Sequence, residues 1–130
     1  MSNSITSAKA RAKFAQAHGT TGALKKVVKM AFGDGGVDVG NVPIPPVTGD
    51  PVVGITLGHE LQRKDLDSVS YPVPTTVRFT GSLAEAELVG KDISEVALVD
   101  EDGDIVAVKT FSRKGKDAES ELVFRWDEEF

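Results

Sequence analysis

The segment from Ile93 to Phe111 constrains the fold more than any other part of the sequence. Two β-rich runs, Ile93–Val99 and Ile105–Phe111, flank the acidic turn Asp100-Glu101-Asp102-Gly103-Asp104. An Asp-Gly pair tolerates the positive φ angles of a tight hairpin turn, so the two runs are expected to pair antiparallel. In that register Val99 opposes Val106 and Ala97 opposes Val108. Both faces of the hairpin carry apolar residues, which places it at the centre of a sheet instead of at a solvated edge.

Period-two patterns continue on either side. Val28, Met30 and Phe32 alternate with Lys29 and Ala31 and run into Gly33-Asp34-Gly35-Gly36, read as a strand ending in a turn. Val77, Phe79, Gly81 and Leu83 alternate with Arg78, Thr80 and Ser82, and Pro72 and Pro74 put the start of this strand at an edge or in a preceding loop. Asp67–Tyr71 reads as a short strand, and Gly58–Lys64 as a turn or short helical segment. Ser112–Ser120 is polar enough for a loop, after which Leu122, Phe124 and Trp126 alternate in a final strand. Ile5, Ala8, Ala12 and Ala15 recur at helical spacing, with Thr6 or Ser7 as cap and Gly19 as stop, which predicts a helix over about 6–17. Its alanine stripe permits close approach to a partner surface. Between the first strand and the rest, residues 37–53 hold Pro43, Pro45, Pro46 and Pro51, a composition that removes backbone donors and favours an extended, ordered loop. A helix and one strand ahead of that loop are too little to bury a core, so residues 1–130 are read as a single domain. The fold class expected is α+β, a mainly antiparallel β-sheet or sandwich with one N-terminal helix.

Composition excludes several functions. No cysteine occurs, so neither disulfides nor thiolate metal sites hold the fold, and the chain suits a reducing cytosol. The longest apolar stretches are a few residues, and the Met1–Ser4 start lacks the basic-then-apolar order of a signal peptide, so no membrane insertion is expected. The net charge is −5, with a basic first part (Lys9, Arg11, Lys13, Lys25, Lys26, Lys29) and an acidic end. With one Trp and one Tyr to stack on bases, nucleic acid is not the expected partner.

Motifs of catalysis and ligation are weak. Asp100, Asp102 and Asp104 share the alternate spacing of a calcium loop, but glycine falls at its fourth position and Phe111 at its twelfth, so hairpin chemistry is the better account. Gly33-Asp34-Gly35-Gly36 lacks the Lys and Ser/Thr of a phosphate loop, and turn geometry explains its glycines. His18 and His59 have no neighbour at ligand spacing, and His18 suits a helix C-terminus. No Gly-x-Ser-x-Gly elbow occurs; Glu85 and Glu87 share a face only as any residues two apart on a strand do, and Asp127 and Glu128 lie in an exposed-looking tail. No catalytic residue, cofactor or metal is assigned.

The alanine-rich opening helix, Lys29-Met30-Ala31-Phe32-Gly33-Asp34-Gly35, and the run from Ile93 to Val108 resemble, in order and over nearly the whole chain, the N-terminal domain of phage tail-collar fibre proteins. In that family a helix leads into a strand ending in Gly-Asp-Gly, and a later Ile-x-Glu-Val/Ile-x-Leu strand ends in an Asp-x-Asp-Gly hairpin. The resemblance implies a non-enzymatic attachment domain, made in the host cytoplasm and placed in the tail of a virion or phage-like particle. It implies baseplate or tail proteins as partners, within a homo-oligomer that is usually a trimer. Such fibres normally continue into a shaft and receptor-binding tip; no collagen-like or heptad repeat is present here, which fits either a short connector or a fibre fragment.

Two other classes stay open. A free-standing adaptor, docking an effector or capping a tube, would be a monomer with one apolar patch, and a carbohydrate-binding β domain would need aromatic platforms for which Tyr71 and Trp126 are the available Tyr and Trp. The contact residues expected for attachment are Ala8, Ala12 and Ala15 on the helix, Val42, Pro43, Ile44, Pro45 and Pro46 in the loop, and Trp126 and Phe130 at the acidic end.

Overall fold

In a computed structural model describing residues 3–19 and 22–130, the order of elements is β1 (Asn3–Thr6), α1 (Ala8–His18), β2 (Val27–Gly33), β3 (Glu60–Asp65), β4 (Ser68–Val73), β5 (Thr76–Leu83), β6 (Asp92–Asp100), β7 (Ile105–Gly115) and β8 (Leu122–Glu129). The strands form a five-stranded sheet ordered β1-β7-β6-β2-β3 and a three-stranded sheet ordered β4-β5-β8, and every described pair is antiparallel. The fold is α+β and mainly β, with a single short helix among the described residues.

The hairpin is central, as its two apolar faces require. Every residue of β6 after Asp92 is buried. One face of the five-stranded sheet contributes Met30, Phe32, Ile93, Val96, Leu98 and Phe111 to a core completed by Phe79, Leu83 and Trp126 of the smaller sheet. The other face packs Ala31, Ala97, Val99, Ile105 and Val108 under Leu57 and Ile55 of the long loop. Ala97 opposes Val108 as expected, but Val99 opposes Ile105 and not Val106, because the register shifts between Leu98 and Val99. That bulge turns both Val106 and Ala107 toward the inner core. Gly103, at φ 84°, supplies the left-handed residue the turn needs.

The helix is anchored through its cap. Ser7 accepts the Ala10 N–H at 3.1 Å and donates its hydroxyl to the Ile105 carbonyl at 2.8 Å, while Gly19 closes the last turn onto Ala15. An 11-residue helix is marginal alone, so these bonds and tertiary packing hold it. Its buried face is not the alanine stripe: Ala10 is the buried residue, Phe14 packs on the core, and Ala8, Ala12 and Ala15 stay half-buried or exposed. Ala10 and Phe14 are four apart and so share a face, one well round the helix from the Ala8, Ala12 and Ala15 stripe, and the large Phe14 side chain on that face meets the core.

Three further expectations are corrected. Gly58–Lys64 is neither turn nor helix, since residues 60–65 form edge strand β3 on β2. Glu-Leu-Gln-Arg-Lys-Asp has the composition of a helix, but pairing with a buried neighbour overrides propensity, and charged residues suit an edge. Strand β7 runs through to Gly115, pairing Lys114 with Ile93, so the polar stretch begins inside the sheet where it extends past the core. The acidic end is no tail: Asp127, Glu128 and Glu129 belong to β8, and Arg78 grips Asp127 with two bonds of 2.8 and 3.0 Å.

Glu85 and Glu87 lie in the turn after β5 and not on a strand. Glu87 joins the two sheets, receiving the Lys64 ammonium, the Ala84 N–H and the Gln62 amide. The Lys64 hydrogen bond, followed by that of the Ala84 N–H, lowers the Glu87 pKa to about 2 from 4.5. A depressed carboxylate contributes stability that is complete above its unfolded pKa and lost as pH falls through the folded one. Urea midpoints measured between pH 5 and 2 should therefore fall less steeply in Glu87→Gln than in the parent; equal slopes would refute this role.

Candidate docking surface

The loop of residues 34–59 between β2 and β3 is fixed at its base by a buried carboxylate. Glu95, 2% exposed at the centre of β6, accepts the Gly58 N–H on one oxygen at 2.7 Å and the Gly35 and His59 N–H groups on the other, each at 2.8 Å. Backbone N–H donors converging on one carboxylate are short, charge-assisted bonds that compensate its removal from water. Here the glycines act by close approach, not by turn geometry as expected from the sequence. None of Gly33, Gly35 and Gly36 has a positive φ, whereas a Cβ on Gly35 would overlap the Gly58 backbone and one on Gly36 the Ser94 carbonyl. Ser94 also takes the Gly36 N–H at 2.9 Å, and His59 pairs with Asp34 across the loop mouth.

Further along, two aspartates shape the loop from within. Asp38 accepts from Gly40 and Val42, and Asp50 from Val52 and Val53, each a side chain that caps its own turn. Those bonds from Val53 and Val52 hold the Asp50 carboxyl below its ordinary pKa. The middle is sewn to the body: Ile44 bonds Gly36 through its N–H and the Thr110 hydroxyl through its carbonyl, and the Thr48 carbonyl receives the Ala8 N–H. With its polar groups used internally, the loop turns aliphatic side chains outward. Val39, Val42, Val47, Val52 and Val53 are exposed, the last two at 79% and 80%. Scattered single apolar residues are ordinary on a surface, but this one loop exposes five valines, which makes it the candidate docking surface.

Of the contact residues expected from sequence, Val42 and Pro45 are exposed, Ile44 is 45% exposed, and Pro43 and Pro46 are half-buried. Of the helix alanines, Ala8 borders the loop through its N–H bond to Thr48, while Ala12 is half-buried and Ala15 exposed; Phe130, exposed, follows the end of β8. Trp126 is corrected from contact to core: at 6% exposure it packs on the inner face, with the Lys109 ammonium 4.8 Å from its ring centroid. It therefore cannot serve as a sugar platform, which leaves Tyr71 alone for that role. Val47 lies within the segment 42–51 expected to make contacts and is exposed, whereas Val52 and Val53, just beyond it, are the residues sequence reasoning missed; the Asx-turn signal of Asp50 before Pro-Val-Val was available.

At the hairpin tip, Asp100, Asp102 and Asp104 do converge, with ligand atoms within 4.8 Å of one another. The Lys13 ammonium of α1 occupies the position a cation would take, at 2.7, 3.0 and 2.8 Å from the three carboxylates. Burial would lower the Lys13 pKa, but its hydrogen bonds to Asp100, Asp104 and Asp102 outweigh that and raise it. The triad is accounted for as the anchor of the helix on the hairpin.

A separate groove of about 530 Å³ opens between α1 and the smaller sheet, with Phe14, Val27, Val77 and Phe79 among its walls. Among the described residues no helix is long and apolar enough to cross a membrane. In comparisons with known proteins, the chain matches no family model, no curated protein sequence and no solved structure.

Proposed function

We propose that this chain is a non-enzymatic attachment module of a phage-type tail fibre or a related contractile particle, docking on baseplate or tail proteins within a homo-oligomer, a trimer being the favoured form. It would be made in the host cytoplasm and act in the particle's tail. The observation that carries the reading is the long loop: hydrogen bonds to Glu95, Thr110 and Ala8 tie it to the body of the fold, which lowers the entropy cost of presenting it to a partner, and it exposes aliphatic side chains that water solvates poorly. The resemblance of the opening helix, the Gly33-Asp34-Gly35 run and the Ile93–Val108 hairpin to tail-collar fibre domains supports the same reading. Deleting Val42–Pro51 is a poor test, because Ile44 and Thr48 are bonded into the body of the fold. The better variant is Val47→Asp/Val52→Asp/Val53→Asp, which alters only exposed side chains. In particles purified from cells carrying it, the protein is expected to be lost from the tail while the isolated domain keeps its melting temperature; undiminished incorporation would overturn the reading.

A second reading, a free-standing adaptor, is favoured by one observation, the groove beside α1, which is roomy and apolar enough to take a partner's side chains. Light scattering across a dilution series separates the two: a stable trimer supports attachment, and a strict monomer supports the adaptor.

A further inference from the structure

Four strands end the two sheets, and three of these edges carry features that block further pairing. β1 has four residues; β3 carries Arg63 and Lys64 and a register shift between Phe32 and Gly33 of its partner; β4 contains Pro72 and an irregularity between Ser70 and Val73. Such shortness, charge, proline and irregularity are how sheets avoid adding strands. Strand β8 lacks three of these, being eight residues long, paired throughout with β5 without a shift and free of proline; its charges are one cation, Arg125, against three carboxylates, Asp127, Glu128 and Glu129, so it disfavours an acidic neighbour and not a basic one. Among the described residues no strand lies on its other side.

Which backbone groups face that open side follows from the ladder. The Phe130 N–H bonds the Thr75 carbonyl at 2.9 Å, and hydrogen-bonded pairs alternate in an antiparallel ladder. Leu122, Phe124, Trp126 and Glu128 therefore bond β5, while Val123, Arg125, Asp127 and Glu129 aim their N–H and C=O groups outward. Beside this edge a crevice of about 260 Å³ separates β8 from Ile5 and Thr6 of β1. Its β8 wall is acidic. Asp127 is already held by Arg78, but among the described residues no cation lies within ion-pair distance of Glu128 or Glu129. Glu128 points to the inner side of the strand, half-buried, and that burial raises its pKa. A desolvated carboxylate without a counter-charge is unfavourable and is relieved by an incoming cation.

We propose that β8 is a strand-addition edge that takes an extended segment of another protein, pairing with the outward backbone groups of residues 123–129 and placing a lysine or arginine beside Glu128. Main-chain bonds supply affinity in such an addition, and the side chain facing Glu128 supplies selectivity. A second copy of the chain is a poorer occupant. Antiparallel pairing of β8 on itself about Trp126 sets Arg125 against Asp127 but puts Phe124, not a cation, opposite Glu128. The proposal is independent of the loop and of the attachment reading, since it rests on the sheet edge alone.

The probe is an acetylated, amidated eight-residue peptide of alternating Lys and Val, titrated into the full chain and followed by amide NMR. The amides of Val123, Arg125, Asp127 and Glu129 are expected to shift and to gain exchange protection. The same peptide N-methylated on its pairing side should lose binding, and Glu128→Gln should weaken the parent peptide about tenfold, as removal of one desolvated charge pair does. That variant removes an unpaired charge, so it should fold. No response at those four amides with millimolar peptide, equal binding of a Glu-Val peptide, or protection of the same amides by self-association without peptide would each overturn the proposal.

Discussion

Glu95→Ala is expected to be the most damaging single substitution in the chain. It strips the acceptor from three N–H groups, those of Gly35, Gly58 and His59, in a place where Glu95 is 2% exposed. An unsatisfied buried donor costs about 1–3 kcal/mol, and the cavity left behind admits some water, so a loss on the order of 3–5 kcal/mol is expected. For a chain of this size that lowers the melting temperature by roughly 10–20 °C. Glu95→Gln should fall between, because one amide oxygen can still accept while the amide nitrogen confronts a donor. Local effects should exceed global ones: in hydrogen exchange, amides of residues 34–59 lose protection before those of β6 and β7. A loss below about 1 kcal/mol, or uniform loss across the sheets, would show that the carboxylate does not anchor the loop. If the exposed valines of the loop dock as proposed, the variant should also weaken incorporation into particles even where the domain remains folded.

Lys13→Met is expected to cost about 2 kcal/mol. It keeps most of the stem but removes the one ammonium shared by Asp100, Asp102 and Asp104. Stripping the partner from a buried pair costs about 3–5 kcal/mol; here only Asp100 is buried and the other two carboxylates face water, which reduces the figure. A melting temperature lower by roughly 5–10 °C is expected, with a smaller deficit in high salt. Adding Asp102→Asn should recover part of the loss by relieving like-charge repulsion, and strict additivity in that double-mutant cycle would refute the shared-ammonium account. The pH dependence has a definite sign. Lys13 hydrogen bonds hold Asp102 and Asp104 below the ordinary 3.8, so their contribution is complete above that value and is lost as pH falls below it. The Lys13→Met curve should be the flatter one in that acidic range.

These two residues mark how far sequence reasoning reaches. Ile93–Phe111 was legible because a turn with Asp-Gly between apolar runs is a local signal, and Ala97 does oppose Val108; the bulge that displaced Val99 onto Ile105 depends on the neighbouring strand and leaves no local trace. Ser7 and Gly19 bounded the helix, yet its buried face was misjudged, because a helix offers several stripes and the surface it meets selects among them. The glycines of residues 33–36 were visible as a cluster but not as a cradle, since the backbone they approach lies more than 20 residues away, at Gly58, and in β6. Trp126 looked like a contact residue at an acidic terminus until β8 placed it beneath the five-stranded sheet.

By itself the sequence determined the element types wherever period, cap or turn chemistry is local: the capped helix, the central hairpin, the alternating strands β2, β5 and β8, and the ordered proline-rich loop. Only the tertiary structure decided which distant charges meet, which glycines must lack a side chain and which sheet edge stays open. Those are properties of chain segments tens of residues apart brought within hydrogen-bonding distance, and no periodicity in one segment encodes the position of another.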